Sequence, residues 1–255
     1  FKSVKSSDSN MSFIICDSTT HKLVDVVRDR KSFSLKKYFH RFEPKTRLKV
    51  KTISIDMYLP YIQLIKEMFP NAKIIIDPFH IVQALNRELN RTRVRVMNKH
   101  RYKDPKLYRK LKHYWKLILK NPNELQNYKY NRYKLFESFI TSKGIVDYIL
   151  ENNPSLKNDY EVVHSLRECI QDRDYIEFKE TIEAATQLDL SPGLKRVLKT
   201  LITYLPYIQN TCEYPTRTNG PIEGINNKIK VLKRNAYGFR NYYHFRNRII
   251  LITKM

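Results

Sequence analysis

The sequence predicts an α/β core interrupted by a long all-α insertion. Three observations carry that prediction. Residues 1–80 alternate short β-rich runs with amphipathic helical segments, residues 81–206 keep helical periodicity with almost no strand signal, and residues 207–255 return as two helices. A chain of 255 residues with 42% apolar composition is long enough to bury such a core.

The elements follow in order. MSFIIC (residues 11–16) and KLVDVV (22–27) read as strands of a hairpin joined by the turn-like DSTTH. SLKKYFHRF (34–42) reads as a short helix. LKVKTISID (48–56) reads as a strand ending at Asp56, and PYIQLIKEMF (60–69) as a helix with Pro60 in its first turn. AKIIID (72–77) is a further strand, ending at Asp77. Strand–helix–strand order implies parallel neighbours with a right-handed crossover. Asp56 and Asp77 then emerge together at the carboxyl ends of adjacent strands, where open α/β sheets place their sites.

Charge divides the insertion. Residues 87–134 hold sixteen Lys/Arg and three acids, whereas residues 147–189 hold eleven acids and four bases. Over the whole chain Lys and Arg outnumber Asp and Glu 48 to 25, for a net charge of +23. Self-repulsion of that size calls for a polyanionic partner, and nucleic acid is the default. A membrane partner is not expected: no run of about 18 uncharged apolar residues occurs. Cys16, Cys169 and Cys212 show neither zinc-ligand spacing nor a disulfide framework, which fits a reducing cytoplasm. Five glycines are too few for a Gly-rich nucleotide cradle.

The stretch TNGPIEGINNKIKVLKRNAYGFRN (218–241) holds five Lys/Arg and one acid, Glu223. Pro221 suits a first helical turn, with Asn219 and Gly220 as capping candidates. At 3.6 residues per turn Ile222, Ile225, Ile229 and Leu232 share one face. Glu223, Asn227, Lys230 and Arg234 form a stripe nearly opposite. Glu223 reads in two ways. It is either a first-turn acid favoured by the helix dipole and paired with Asn227 or Lys230, or a carboxylate that converges with Asp56 on Mg²⁺ or Mn²⁺ for phosphoryl transfer on DNA. Lys230 and Arg234 would then hold phosphates nearby.

The blocks VKTISIDMYLPYIQLIKEMFPNAKIIIDPFHIVQALNRELN (50–90) and NGPIEGINNKIKVLKRNAYGFRNYYHFRNRI (219–249) closely resemble bacterial insertion-sequence transposases of the ISL-three family, which are DDE enzymes. The resemblance implies a ribonuclease-H-like mixed sheet core, the helical insertion standing before the last acid. Asp56 matches the second catalytic and metal-binding acid, Glu223 the third. Asp77 and His80 match an Asp-x-x-His motif that acts beside the metal site, with Asn227 in support. Pro78 stands where the family usually has Arg, which removes a donor and a charge. The first acid belongs to Asp-Glu-Phe-Lys-Ser-Val-Lys and would stand two residues before Phe1. Asp17, in the hairpin link, and Asp25, on a strand, are read as structural.

The resemblance also implies N-terminal zinc-binding and helix-turn-helix segments, which the sequence given does not include. The expected function is therefore the catalytic fragment of a DNA transposase, cleaving and joining strands with two metals and inactive until its first acid is supplied. The alternatives are a non-catalytic DNA-binding remnant and a nuclease on the same fold. Element ends and target DNA are the expected partners, with a homodimer or larger complex holding both ends. A bacterial cytoplasm, at the nucleoid, is the expected location. DNA contacts are expected from Arg87, Arg91 and Arg95 in the basic half and from Arg240. Trp115 is counted among the DNA-contact candidates as a base-stacking aromatic, although core packing is the stronger expectation for it. In YGFRNYYHFRNRII, a nucleic-acid surface competes with a buried stripe of Phe245, Ile249 and Ile252.

Overall fold

Alternating apolar side chains build the first ladder. β1 (Phe13–Cys16) and β2 (Leu23–Val27) pair antiparallel, with Phe13 opposite Val27 and Ile14 opposite Val26. Successive strand residues face opposite ways, so these two cross-strand pairs part company. Ile14 and Val26 join Val4, Ile225, Ile229, Tyr242, Phe245 and Ile249 in one apolar cluster. Phe13 and Val27 pack on a second cluster of Leu35, Leu64 and Met68. The hairpin is thus a layer with helices on both faces. In this computed structural model residues 1–4 and 11–254 are described. Of the FKSVK stretch, Phe1–Val4 lie alongside Met11 and Ser12, through a Lys2–Met11 bridge and a bond from the Ser12 amide to the Phe1 carbonyl. Lys5 lies outside the described residues.

The described residues form two units, Phe1–Asp77 with Glu213–Met255, and Pro78–Cys212. After β2 the first unit continues with α1 (Ser32–Phe39), α2 (Pro44–Arg47), β3 (Thr52–Ile55), α3 (Leu59–Met68) and β4 (Lys73–Ile76). The sequence pattern extends a strand from residue 48, but pairing begins only at Thr52. The amides of Leu48, Lys49 and Val50 are spent on the carbonyls of Pro44, Thr46 and Arg47, closing the short α2 that the pattern does not signal. β3 and β4 are parallel, with Ile55 opposite Ile76. The α/β class holds. Among the described residues, however, the expected mixed sheet is present only as the two-stranded ladders β1–β2 and β3–β4.

The unit closes with α11 (Gly220–Asn235) and α12 (Tyr242–Lys254). Ile225 and Ile229 of α11 are buried, whereas Glu223, Asn227, Lys230 and Arg234 are exposed, as the 3.6-residue period requires. On α12, Phe245 and Ile249 are fully buried and Ile252 is half-buried. Arg246 turns inward to Asp25, Nη2 to Oδ1 at 2.5 Å, and Tyr38 donates to the other Asp25 oxygen at 2.8 Å. Burial alone would raise the Asp25 carboxyl; these two donors and the Val26 amide hold it below its ordinary value. Asp25 therefore serves to tie α1 and α12 to β2.

The second unit is helical. α4 (Pro78–Lys103), α5 (Pro105–His113), α6 (Trp115–Leu119), α7 (Ser142–Glu151), α8 (Pro154–Asp172), α9 (Tyr175–Ala185) and α10 (Pro192–Glu213) follow one another. Four of these helices begin with proline, whose fixed φ suits a first turn and whose missing N–H costs nothing there. Two features depart from the sequence pattern. A two-residue ladder joins β5 (Asn131–Arg132) to β6 (Phe139–Ile140), and α10 runs through Pro206 to Glu213 instead of stopping. No helix among the described residues is long and apolar enough to cross a membrane.

Buried polar groups bind these helices together. Asp159, fully buried on α8, accepts from Thr92 Oγ1 of α4 at 2.7 Å and from the Ser191 amide at 2.9 Å. Buried Arg93 donates to the Leu111 carbonyl at 2.8 Å, tying α4 to α5. His164 lies 3.0 Å from the Ile118 carbonyl through Nε2, and burial pushes its imidazole down to about 4 against the pull of that bond. The depressed value sets a pH dependence. An unfolded chain takes up this proton near pH 6.5 and the folded one only near pH 4. His164 thus contributes stability that is present above pH 6.5 and is lost as pH falls through that window, by about 3 kcal/mol in total. Urea unfolding followed by helical circular dichroism at pH 7.5 and 4.5 checks this. His164→Gln should lose less stability than the parent on acidification, and parallel losses in the two proteins would refute the assignment.

Candidate active site

Asp56 and Asp77 follow directly on paired strand ends. Ile55 and Ile76 are register partners, and the Asp77 amide extends the ladder by donating to the Ile55 carbonyl at 3.0 Å. The two aspartates thus stand side by side along the carboxyl edge of β3–β4. Their environments differ: Asp77 is 4% exposed, whereas Asp56 is open to solvent. Tyr61, half-buried on α3, has its phenol pushed up by burial, with the Asp56 and Asp29 charges adding to the shift and Arg30 opposing it.

The start of α11 meets this edge through Asn219. Asn219 precedes α11 at its N-cap and is 8% exposed. Its Nδ2 donates to Asp56 Oδ1 at 2.8 Å. Its main-chain carbonyl accepts the Glu223 amide at 3.1 Å, so Glu223 sits one helical turn further along. An Asn before Gly-Pro reads from sequence as an ordinary cap, yet the side chain makes no capping bond. No local signal distinguishes the two uses of that amide, because its acceptor lies 163 positions away in the chain. Beyond Glu223 the exposed stripe continues, Lys230 donating to Asn227 Oδ1 at 3.4 Å.

Asp17 is occupied elsewhere. Its Oδ1 accepts from Thr19 N, Thr20 N and Thr20 Oγ1, closing the β1–β2 turn, and the Thr20 amide leads the bonds that hold its carboxyl below the ordinary value. Arg217 braces the same turn through the Ser18 carbonyl at 2.9 Å.

Asp56 and Glu223 offer oxygen only, the donor type that a hard divalent cation takes while keeping several waters. Both are exposed. No group of three or more His, Cys, Asp or Glu that could hold a metal occurs among the described residues. The donor chemistry therefore fits such a cation, with two carboxylates and not a full cage.

In the second unit, His80 is half-buried in the first turn of α4, its ring 5.5 Å from that of Phe79. Pro78 opens that helix. Arg87, Arg91 and Arg95 recur every four residues of α4 and are all exposed, opposite buried Leu85, Leu89 and Val96. Arg87 donates to Gln83 and Arg91 pairs with Glu88. Trp115 is 39% exposed, so core packing does not describe it: Tyr114 and Ile118 take the buried positions on either side. In the first unit, Arg240 and Tyr243 face solvent.

Comparison with known proteins agrees in kind. A family model described as transposase matches residues 1–249. A Bordetella parapertussis protein named transposase for insertion sequence element IS1001 is 27% identical over 237 residues, covering 91% of this chain and 54% of its own. A Lactococcus lactis protein named ATP-dependent protease is 36% identical over 130 residues, covering 51% of this chain and 40% of its own. The chain thus spans about half the length of the curated relatives it matches. No solved structure matches it.

Proposed function

Because the chain belongs to the ISL-three family of DDE transposases, we propose that it is the catalytic region of a DNA transposase that cleaves DNA at the ends of a mobile element and joins the freed 3′-hydroxyl to target DNA. The observation that carries this reading is the Asn219–Asp56 hydrogen bond, with Glu223 one turn along the same helix.

In this reading Asp56 and Glu223, the second and third acids of the family pattern, hold Mg²⁺ or Mn²⁺. Once bound, the cation supplies Lewis-acid stabilisation of the phosphoryl group and lowers the pKa of the attacking water or hydroxyl. The chain's own groups do the rest. Lys230 and Arg234 lie about two and three turns beyond Glu223 on α11 and clamp phosphate oxygens. Asn227 orients Lys230 through their contact. Asp77, at the strand end next to that of Asp56, supports the site, and the Asp-x-x-His resemblance gives His80 a supporting role. Arg87, Arg91, Arg95, Arg240 and Trp115 bind the DNA flank, the arginines through phosphates and the indole by stacking. The first unit is the ribonuclease-H-like core, residues 81–206 are the insertion, and a dimer or larger assembly brings two element ends together.

The test is a paired-end assay with the full-length protein, labelled element ends, target DNA and Mg²⁺. Nicked ends followed by joined products are expected. Nicking without joining would replace this reading with a nuclease, and binding without nicking would replace it with a DNA-binding remnant.

A further inference from the structure

We infer that Asn219 is a positioning residue for the metal-binding carboxylate Asp56 and that α11 gains no capping bond from its side chain. This deepens the transposase reading and rests on it.

Three observations lead there. The amide stands at the N-cap, where Asn ordinarily accepts a hydrogen bond from an amide of the first turn, yet it makes no such bond. It is instead turned so that Nδ2 donates to Asp56 Oδ1 at 2.8 Å. A carboxylate only accepts, so this orientation is chemically fixed. The consequence falls on the other end of the same group: Asn219 Oδ1 is buried and has no hydrogen-bond partner among the described residues. A side chain 8% exposed that forgoes its cap and leaves its own acceptor unmatched is committed to one contact.

The contact joins both acids. Through its side chain Asn219 holds the Asp56 carboxylate, and through its carbonyl it accepts the Glu223 amide in the first hydrogen bond of α11. One residue thus sets the orientation of the first carboxylate and the start of the helix that carries the second. Groups bonded to a metal ligand in this way commonly change affinity or activity by about 10- to 100-fold when removed.

Helix capping and positioning make opposite predictions. Ser and Asp cap helices as well as Asn does. Ser is too short to reach Asp56, and Asp replaces the donor with a second negative charge beside it. The experiment uses the full-length protein with Asn219→Ser, Asn219→Asp and, as reference, Asp56→Asn. It measures kcat and KM on a labelled element-end duplex in Mg²⁺, Mn²⁺ binding by electron paramagnetic resonance without DNA, and the melting temperature without metal.

The expected result is a fall in kcat of about 10- to 100-fold for both Asn219 variants, with KM for DNA within about threefold. Mn²⁺ binding should weaken by about tenfold in Asn219→Ser. Both variants should melt like the parent. If Asn219→Ser cleaves and binds Mn²⁺ like the parent while Asp56→Asn is inactive, this inference falls and the site stands. If Asn219→Ser and Asn219→Asp lose cleavage only together with several degrees of melting temperature and keep Mn²⁺ affinity, the side chain is structural and the inference again falls. If Asp56→Asn itself cleaves normally, the site reading fails and carries this one with it.

Discussion

Asp56→Asn and Glu223→Gln, made singly in the full-length protein, should each reduce strand cleavage by at least about 1,000-fold, on the order of 4 kcal/mol of activation free energy. Both changes keep the side chain's size and remove its negative charge. If these carboxylates hold the cation, its binding and its stabilisation of the transition state go with them. DNA affinity should stay within about threefold, because neither group neutralises a phosphate. Both side chains are exposed, so neither substitution should cost the fold more than the few tenths of a kcal/mol usual at a surface. Asp56→Asn does alter the partner of Asn219, which makes Glu223→Gln the cleaner of the two. Single-turnover cleavage of a labelled element end, paired with a binding titration in EDTA, measures both quantities. Parent-level cleavage by Glu223→Gln would remove it from the ligand set and leave it as a first-turn acid.

The second large effect concerns DNA binding. With a net charge of +23, affinity should fall steeply with salt, since each neutralised phosphate releases condensed counterion and log affinity therefore falls linearly with log salt. Arg87, Arg91 and Arg95 present three guanidinium groups along one exposed row of α4. Replacing all three by Gln should flatten the plot of log affinity against log salt by about 2.7, and weaken binding on the order of 100-fold at about 0.1 M salt. Lys157 and Lys179 serve as the control. They are exposed on α8 and α9, within 3.9 and 3.8 Å of Glu161 and Glu183, in the acidic half. Their replacement by Gln should leave the slope unchanged. Fluorescence anisotropy with one duplex over a range of salt concentrations reads both variants. An unchanged slope for the arginine variant would move the DNA surface off α4.

How much of this was legible beforehand varies with the range of the interaction. The face of α11 is a matter of 3.6-residue spacing, and Ile225 and Ile229 are buried where the period puts them. The β3–α3–β4 order is likewise local. It brings Asp56 and Asp77 to neighbouring strand ends because parallel pairing aligns Ile55 with Ile76. Elsewhere the pattern was overridden. Residues 48–50 have strand character, but the end of α2 claims their amides. Trp115 sits in an amphipathic stretch, yet its neighbours fill the buried positions and leave it exposed. The arginines of α12 look alike in sequence, yet Arg246 is the one that turns in to a half-buried acceptor, Asp25.

From the sequence alone came the α/β class, the charge that calls for a polyanion and the buried face of α11, whereas for α12 it left a buried stripe and a nucleic-acid surface even. All of these depend on composition or on neighbours a few residues apart, where helix and strand geometry fix the outcome. The tertiary structure alone decided which polar groups were spent on each other: Asn219 on Asp56, Arg246 on Asp25, Thr92 and Ser191 on Asp159. Each such pairing joins positions far apart in the chain. Whether a buried donor meets its acceptor depends on how whole elements pack, and no local window of sequence contains that information.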